Sequence, residues 1–297
     1  MMIQQMASSH GDAASGLLRR SNARCSILGS VLALCFGVSA VPAMGQQDIG
    51  HPERGSVMIG AFVAGLDTTA RIDSTTRRGT RIGLEHELGL DGTKTVARID
   101  GYYWFSRKHR LDYSFFRFSR SASRVIGRTI VVGDRTFDLR RTIDSSSEVG
   151  VFKIGYTFAP IVRKRGDFGV TMGIYTANID LAILDRLSGV GESRDLTAPL
   201  PVVGFRGQYN PSDRISLRGS IELFRLDTGE ADGRLSDTTI GADYSFNDRI
   251  ALGLAYNHVS VNVDAQDTGH FIGQIDWGYD GFMLYLKTNF GRTRGAL

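Results

Sequence analysis

Apolar and polar residues alternate with period two along most of the chain after residue 46. That is the spacing of a strand with one face in an apolar medium and the other in a polar one. Ile215, Leu217, Gly219, Ile221 and Leu223 share one side of a segment; Arg214, Ser216, Arg218, Ser220 and Glu222 share the other. Thr238, Ile240, Ala242, Tyr244 and Phe246 alternate in the same way with Thr239, Gly241, Asp243 and Ser245. So do Ile250, Leu252, Leu254 and Tyr256 with Arg249, Ala251, Gly253 and Ala255. No apolar run after residue 46 approaches the roughly 18 residues of a spanning helix, so strands are predicted to the C-terminus.

A soluble sandwich would alternate too, but two features favour a membrane barrel. Segments expected to run in one direction end on aromatics just before a short polar turn: Tyr103 and Phe105, Tyr156 and Phe158, Tyr209, and Tyr244 with Phe246. After three of these turns the chain resumes with Arg110-Leu111, Arg214-Ile215 or Arg249-Ile250. Repetition of this unit sets an aromatic girdle at one membrane interface, where a ring with a polar tip is stable. The connections also alternate in length, with longer polar segments at 67–95, 121–141, 185–197 and 227–235. In lipid such strands must close, because an open edge leaves backbone groups without partners.

The expected fold is therefore all-β, an antiparallel transmembrane β-barrel of ten strands, with eight or twelve as alternatives. Ascending strands are placed near 56–66, 110–119, 168–183, 214–225 and 249–262; descending ones near 96–105, 142–158, 198–210, 236–246 and 270–290. Thr80–Leu90 alternates as well but breaks the parity, so it is assigned to the first external loop. Residues 125–139 read as a hairpin beyond the bilayer, with Gly133-Asp134 as its turn. In the last strand Ile275, Trp277 and Tyr279 lie on one parity and Phe282, Leu284, Leu286 and Phe290 on the other. A bulge at Tyr279-Asp280-Gly281 is the expected reason.

The first 45 residues carry a basic region (Arg19, Arg20, Arg24) followed by an apolar run from Ile27 to Val41. Small residues fit cleavage after Ala43 or Gly45, so 1–45 is expected to be a secretory signal peptide and 46–297 the barrel. Both cysteines, Cys25 and Cys35, fall in the leader, which leaves no disulfide or thiol ligand in the expected mature chain. Without the leader's three arginines and Asp12, the formal charge of +4 falls to about +2, no basis for a nucleic-acid partner. The leader, the girdles and the aromatic last strand resemble Gram-negative outer-membrane β-barrel proteins. The segments Gly79–Ile82, Leu88–Leu90 and Trp104–Leu111 resemble a group of small uncharacterised, porin-like barrels of that kind. The resemblance implies fold, outer-membrane localisation, and contact with outer-membrane lipid, lipopolysaccharide and the barrel-assembly machinery. Such barrels usually end on Phe, whereas here Phe290 is followed by Gly291–Leu297, so recognition would use an internal aromatic.

Lumen-facing positions on this reading include Arg98, Asp100, Arg110, Asp112, Lys153, Arg206, Gln208, Arg214, Arg218, Glu222, Asp243, Asp276 and Lys287. Both signs occur together, which points to a neutralised plug and a structural or surface-interaction role through the external loops. A narrow solute channel is the alternative, although no single-sign ring selects an ion. A third reading is a lipid hydrolase using His258 and Ser260, two residues apart on one face. Outer-membrane phospholipases and lipid A deacylases resemble this arrangement, with imidazole as base for serine; the Asn-Gly or Asn-Ala expected after the serine is here Val261-Asn262. Asp264, Asp267 and His270 do not complete an omptin-like protease set, and Asp264–Asp267 reads as a solvated turn before it reads as a Ca²⁺ loop. His109 is assigned to a basic periplasmic turn. Arg77, Arg78, Arg81, Arg135, Arg140 and Arg141 are external candidates for lipopolysaccharide phosphates. No phosphate-binding loop, zinc spacing or EF-hand appears, so no cofactor is expected.

Overall fold

The computed structural model describes residues 53–227, 231–265 and 272–292. The expected leader with Cys25 and Cys35 lies outside them, as do Asp267 and His270. Extended segments follow the period-two pattern: β1 (Glu53–Ile72), β2 (Ile82–Gly83), β3 (Thr93–Ser106), β4 (His109–Val125), β5 (Ile130–Val132), β6 (Arg135–Phe137), β7 (Thr142–Arg163), β8 (Gly166–Asp185), β9 (Gly191–Tyr209), β10 (Ile215–Asp227), β11 (Ala231–Ser245), β12 (Ile250–Ala265) and β13 (Gly273–Arg292). β2 is a short rung on β1, and β5 pairs only with β6. The remaining ten strands are long, and each is antiparallel to its neighbours in the order given. β13 returns to β1 from Glu53↔Arg292 to Ile72↔Gly273, which closes the ring and leaves no long edge. Cross-strand partners advance about twelve positions in one circuit, which tilts ten strands about 40° to the barrel axis.

Tight turns join strands at the end where β1 starts and β13 finishes, the periplasmic end of such a barrel. At the other end, the expected loops at 185–197 and 227–235 are mostly wall, because β9 starts at Gly191 and β11 at Ala231. Their polar sequence reflects strands standing in water.

A change of medium explains the phase break in the last strand. For about nine residues of each strand the apolar side chains point outward, as with Val203, Leu254 and Leu284, each more than 50% exposed. Nine tilted residues cover about 23 Å, close to the apolar band of about 25 Å that spans an outer membrane. Beyond that belt the faces exchange character without any change of register. Tyr175, Ala177 and Ile179 are buried while Asn178 and Asp180 face out; Val259 and Val261 are buried while His258 and Asn262 face out. In β13, Ile275, Trp277 and Tyr279 are buried inside and Phe282, Leu284 and Leu286 face lipid. The bulge expected at Tyr279–Gly281 is absent, since both ladders of β13 run through without a shift. Asp276, placed in the lumen by that bulge, is on the outer face and accepts a hydrogen bond from Asn262 at 2.9 Å.

The upper interior is a hydrophobic core. Thr80–Leu90 turns inward, so that Ile82, Leu84, Leu88 and Leu90 are buried beside Ile130, Val132 and Phe137 of the β5–β6 hairpin. Gly133-Asp134 forms the hairpin turn, with Gly133 at φ 55°. The hairpin bonds back to the first strand and loop through Gly133 N–H to Ile72 O (3.0 Å) and Thr80 N–H to Val131 O (2.8 Å).

Candidate functional site in the lumen and collar

Contacts between strands that are not neighbours in the ring must pass through the lumen, and several do. The Arg98 guanidinium of β3 donates to Asn257 Oδ1 of β12 at 2.8 Å. Lys153 of β7 lies 2.6 Å from Glu222 of β10 and 3.0 Å from Asp237 of β11. Arg206 of β9 sits 5.7 Å from the Trp104 ring of β3, and Arg218 of β10 sits 4.8 Å from the Tyr285 ring of β13. A ten-stranded barrel is slightly wider than side chains of ordinary length can fill, which is why the fillers are Arg, Lys, Tyr and Trp.

Among the described residues, Arg98, Arg110, Lys153, Arg206, Arg218 and Lys287 stand among Asp100, Asp112, Asp167, Glu222, Asp237 and Asp243. Arg98 is 2.9 Å from Asp100, Arg110 Nε donates to Asp112 at 2.7 Å, Arg206 is 2.5 Å from Asp167, and Lys287 is 3.1 Å from Asp243. Tyr285 adds a hydrogen bond to Asp243, and Arg110 stacks 3.9 Å over Tyr102. Arg98, Arg206, Glu222, Asp243 and Lys287 are each under 9% exposed. Opposite charges held together in this way offset the cost of burying each one.

Two expected lumen positions lie elsewhere: Arg214 is exposed in the turn before β10, and Asp276 is outside. Gln208 is on the inner face opposite Arg218, where it bonds to Asn210 at the lower rim. The sequence reading missed Asp167, Asp237, Asn257, Trp104 and Tyr279. Asn257 shares the parity of Ala251, Gly253 and Ala255 and was legible; Asp167 was hidden in the expected turn 159–167, where β7 and β8 in fact continue.

Among solved structures, the outer-membrane protease OmpT of Escherichia coli matches with a TM-score of 0.52 at 9% identity, over 80% of this chain and 97% of that one. This chain has the fold of an outer-membrane β-barrel. Looser matches are the translocator domain of the autotransporter NalP from Neisseria meningitidis (12% identity, 82% and 91% covered, TM-score 0.42) and Ail, the attachment invasion locus protein of Yersinia pestis (15%, 77% and 99%, 0.33). No family model and no curated protein matches the chain. At 9% identity the likeness carries the fold and not the activity.

The barrel's collar, the wall beyond the lipid belt, is laced with ion pairs. Arg81 pairs with Asp276, Arg128 with Glu87 at 2.7 Å, and Arg117 with Glu148 at 2.9 Å. Arg135 lies 4.0 Å from Glu192, Arg141 lies 3.9 Å from Asp185, and Arg77 donates to Thr136 at 2.6 Å. Four of the six external arginines singled out from sequence thus have partners within the chain; Arg78 is exposed, and Arg140 holds a left-handed φ of 65°. His258 and Ser260 sit on the outer face just above the belt. The register sets Asp280 of β13 directly opposite His258 and Gly278 opposite Ser260. His109 belongs to the girdle instead of a basic turn: its Nδ1 is 2.5 Å from Tyr156 Oη, and its ring lies 5.8 Å from Phe105 and 5.4 Å from Phe158.

Proposed function

We propose that this is a non-conducting barrel whose working surface is the collar it raises above the outer membrane. The observation that carries this reading is the cross-lumen set Arg98–Asn257, Lys153–Glu222 and Lys153–Asp237, beneath the inward-folded Leu84, Leu88 and Leu90. A solute would have to displace both layers. With most loop arginines engaged internally, contact with lipopolysaccharide or an outside partner falls to the polar outer face of β7–β13. Single-channel recording of the refolded barrel in a planar bilayer tests the reading. Silence from a folded, heat-modifiable protein is expected; stable openings of defined size would establish the solute-channel alternative instead.

One observation favours a second reading, a lipid hydrolase. Ser260, His258 and Asp280 form an outward row of nucleophile, base and acid at the upper rim of the belt, the set of roles that ester hydrolysis needs. Labelling of the barrel in detergent by a fluorophosphonate, abolished in Ser260→Ala and His258→Ala, is its expected signature. Lack of labelling would remove it.

A further inference from the structure

Two periplasmic turns are rich in cations and hold no acidic residue in their own sequence. Arg107-Lys108 joins β3 to β4, and the β7–β8 hairpin ends in Arg163, Lys164 and Arg165. The two turns are adjacent, since Ala159 N–H donates to Lys108 O at 2.8 Å. Lys108, Arg163, Lys164 and Arg165 are all exposed. On the neighbouring β9–β10 turn Asp213 is followed at once by Arg214, Asp167 points inward to Arg206, and Glu53 at the start of β1 accepts from Tyr102 Oη.

The hairpin projects because β7 carries a register shift between Phe158 and Ile161 and then pairs on to Arg163↔Gly166. This shift leaves Ile161 (47% exposed) opposite Phe168 (43%) on the outer face, with Arg163 beyond it. Phe105 (53%) and Phe158 (36%) flank His109 on the same side. The order running down the outer wall is therefore apolar belt, aromatic rings, then a cluster of four cations at the edge.

We propose that this edge is a binding site for an anionic phospholipid of the periplasmic leaflet. Its phosphate is held by Lys108, Arg163, Lys164 and Arg165, and its acyl chains lie against Ile161, Phe158 and Phe168. The patch is continuous with the lipid-facing belt, which selects a lipid as the occupant, and its charge selects a negative headgroup. Each cation near an anionic lipid contributes about fivefold in affinity at moderate salt, an effect that salt weakens.

Native mass spectrometry of the full barrel in detergent, with equal amounts of phosphatidylglycerol and phosphatidylethanolamine, tests this. Retention of phosphatidylglycerol over phosphatidylethanolamine is expected. The preference should fall more than tenfold in the combined variant Lys108→Gln, Arg163→Gln, Lys164→Gln, Arg165→Gln, whose folding is checked by heat-modifiable mobility. Arg214→Gln with Arg249→Gln, on the other turns, should keep it. Equal retention of both lipids, or an unchanged preference in the fourfold variant, would overturn the site. So would an equal loss in the Arg214/Arg249 variant, which would indicate a diffuse field. Displacement of phosphatidylglycerol by soluble polyglutamate at matched charge would assign the patch to an acidic protein, against the proposal.

Discussion

Glu85, on the first external loop, and Arg120, on the inner face of β4, form an ion pair of 2.5 Å whose guanidinium side chain is wholly removed from solvent. The same Arg120 donates to Asp91 O at 3.2 Å and to Thr68 Oγ1 at 3.1 Å, while Thr68 N–H donates to the second Glu85 oxygen at 3.0 Å. The pair fastens Thr80–Leu90 inside the mouth over the gap left by β3, which begins only at Thr93.

Breaking one half of that pair leaves a buried, uncompensated charge. Glu85→Ala is expected to cost about 3–5 kcal/mol locally. Limited proteolysis of the folded barrel should then cut within residues 80–90, where the parent is resistant. Equal resistance of the variant would show that the leucines alone hold the loop.

Two layers close the lumen independently, so removing one should not open it. Deletion of residues 80–90 leaves Lys153 bridging Glu222 and Asp237, and planar-bilayer recordings should remain silent. Only the deletion combined with Lys153→Ala and Arg218→Ala is expected to conduct. Openings from the deletion alone would show that the charged layer is no barrier.

The exchange of faces along β12 places the outer boundary of the lipid belt between Tyr256 and His258. Arginine at Leu254, inside the belt, should cost about 2–4 kcal/mol, and arginine at Asn262, on the same face of the collar, about 0–1 kcal/mol. Urea unfolding in lipid vesicles measures both. Equal costs would put the boundary elsewhere.

At the external end of β7 and β8, beside the β8–β9 turn, Arg186 grips Asp144 through two hydrogen bonds of 2.7 and 3.0 Å, which lowers the carboxyl's pKa. The Ser188 hydroxyl and the Leu187 N–H lower that of Asp185. Groups held below the ordinary value of about 3.9 stabilise the fold fully above that pH, and the contribution is lost as pH falls through the lowered values. Hydrogen exchange at residues 186–190 should therefore stay slow from neutral pH to about pH 4 and rise only below it. In Asp144→Asn with Asp185→Asn it should be faster throughout and lack that step; a step persisting in the variant would assign the titration to other groups.

The alternation of residues such as Ile215–Leu223 and Ile250–Tyr256 was enough to establish strands; the aromatic ends and alternating connection lengths made ten the expected number, with eight or twelve left open, and gave their direction. A strand between lipid and lumen has no freedom over which side chains face out, so the pattern must be written locally. The charged lumen was legible for the same reason in Arg98, Arg206 and Glu222. What sequence could not decide was the environment. The faces that hold Ile275 and Phe282 are opposite, and local reasoning reads that as a bulge. The structure shows one unbroken strand passing from lipid into a water-bathed collar with its own apolar core. Partners such as Lys153 with Asp237, or Arg120 with Glu85, are 84 and 35 residues apart. Only closure of the ring and the infolding of the loop bring them together, because ion pairs across a lumen depend on barrel width and register, which no single segment encodes.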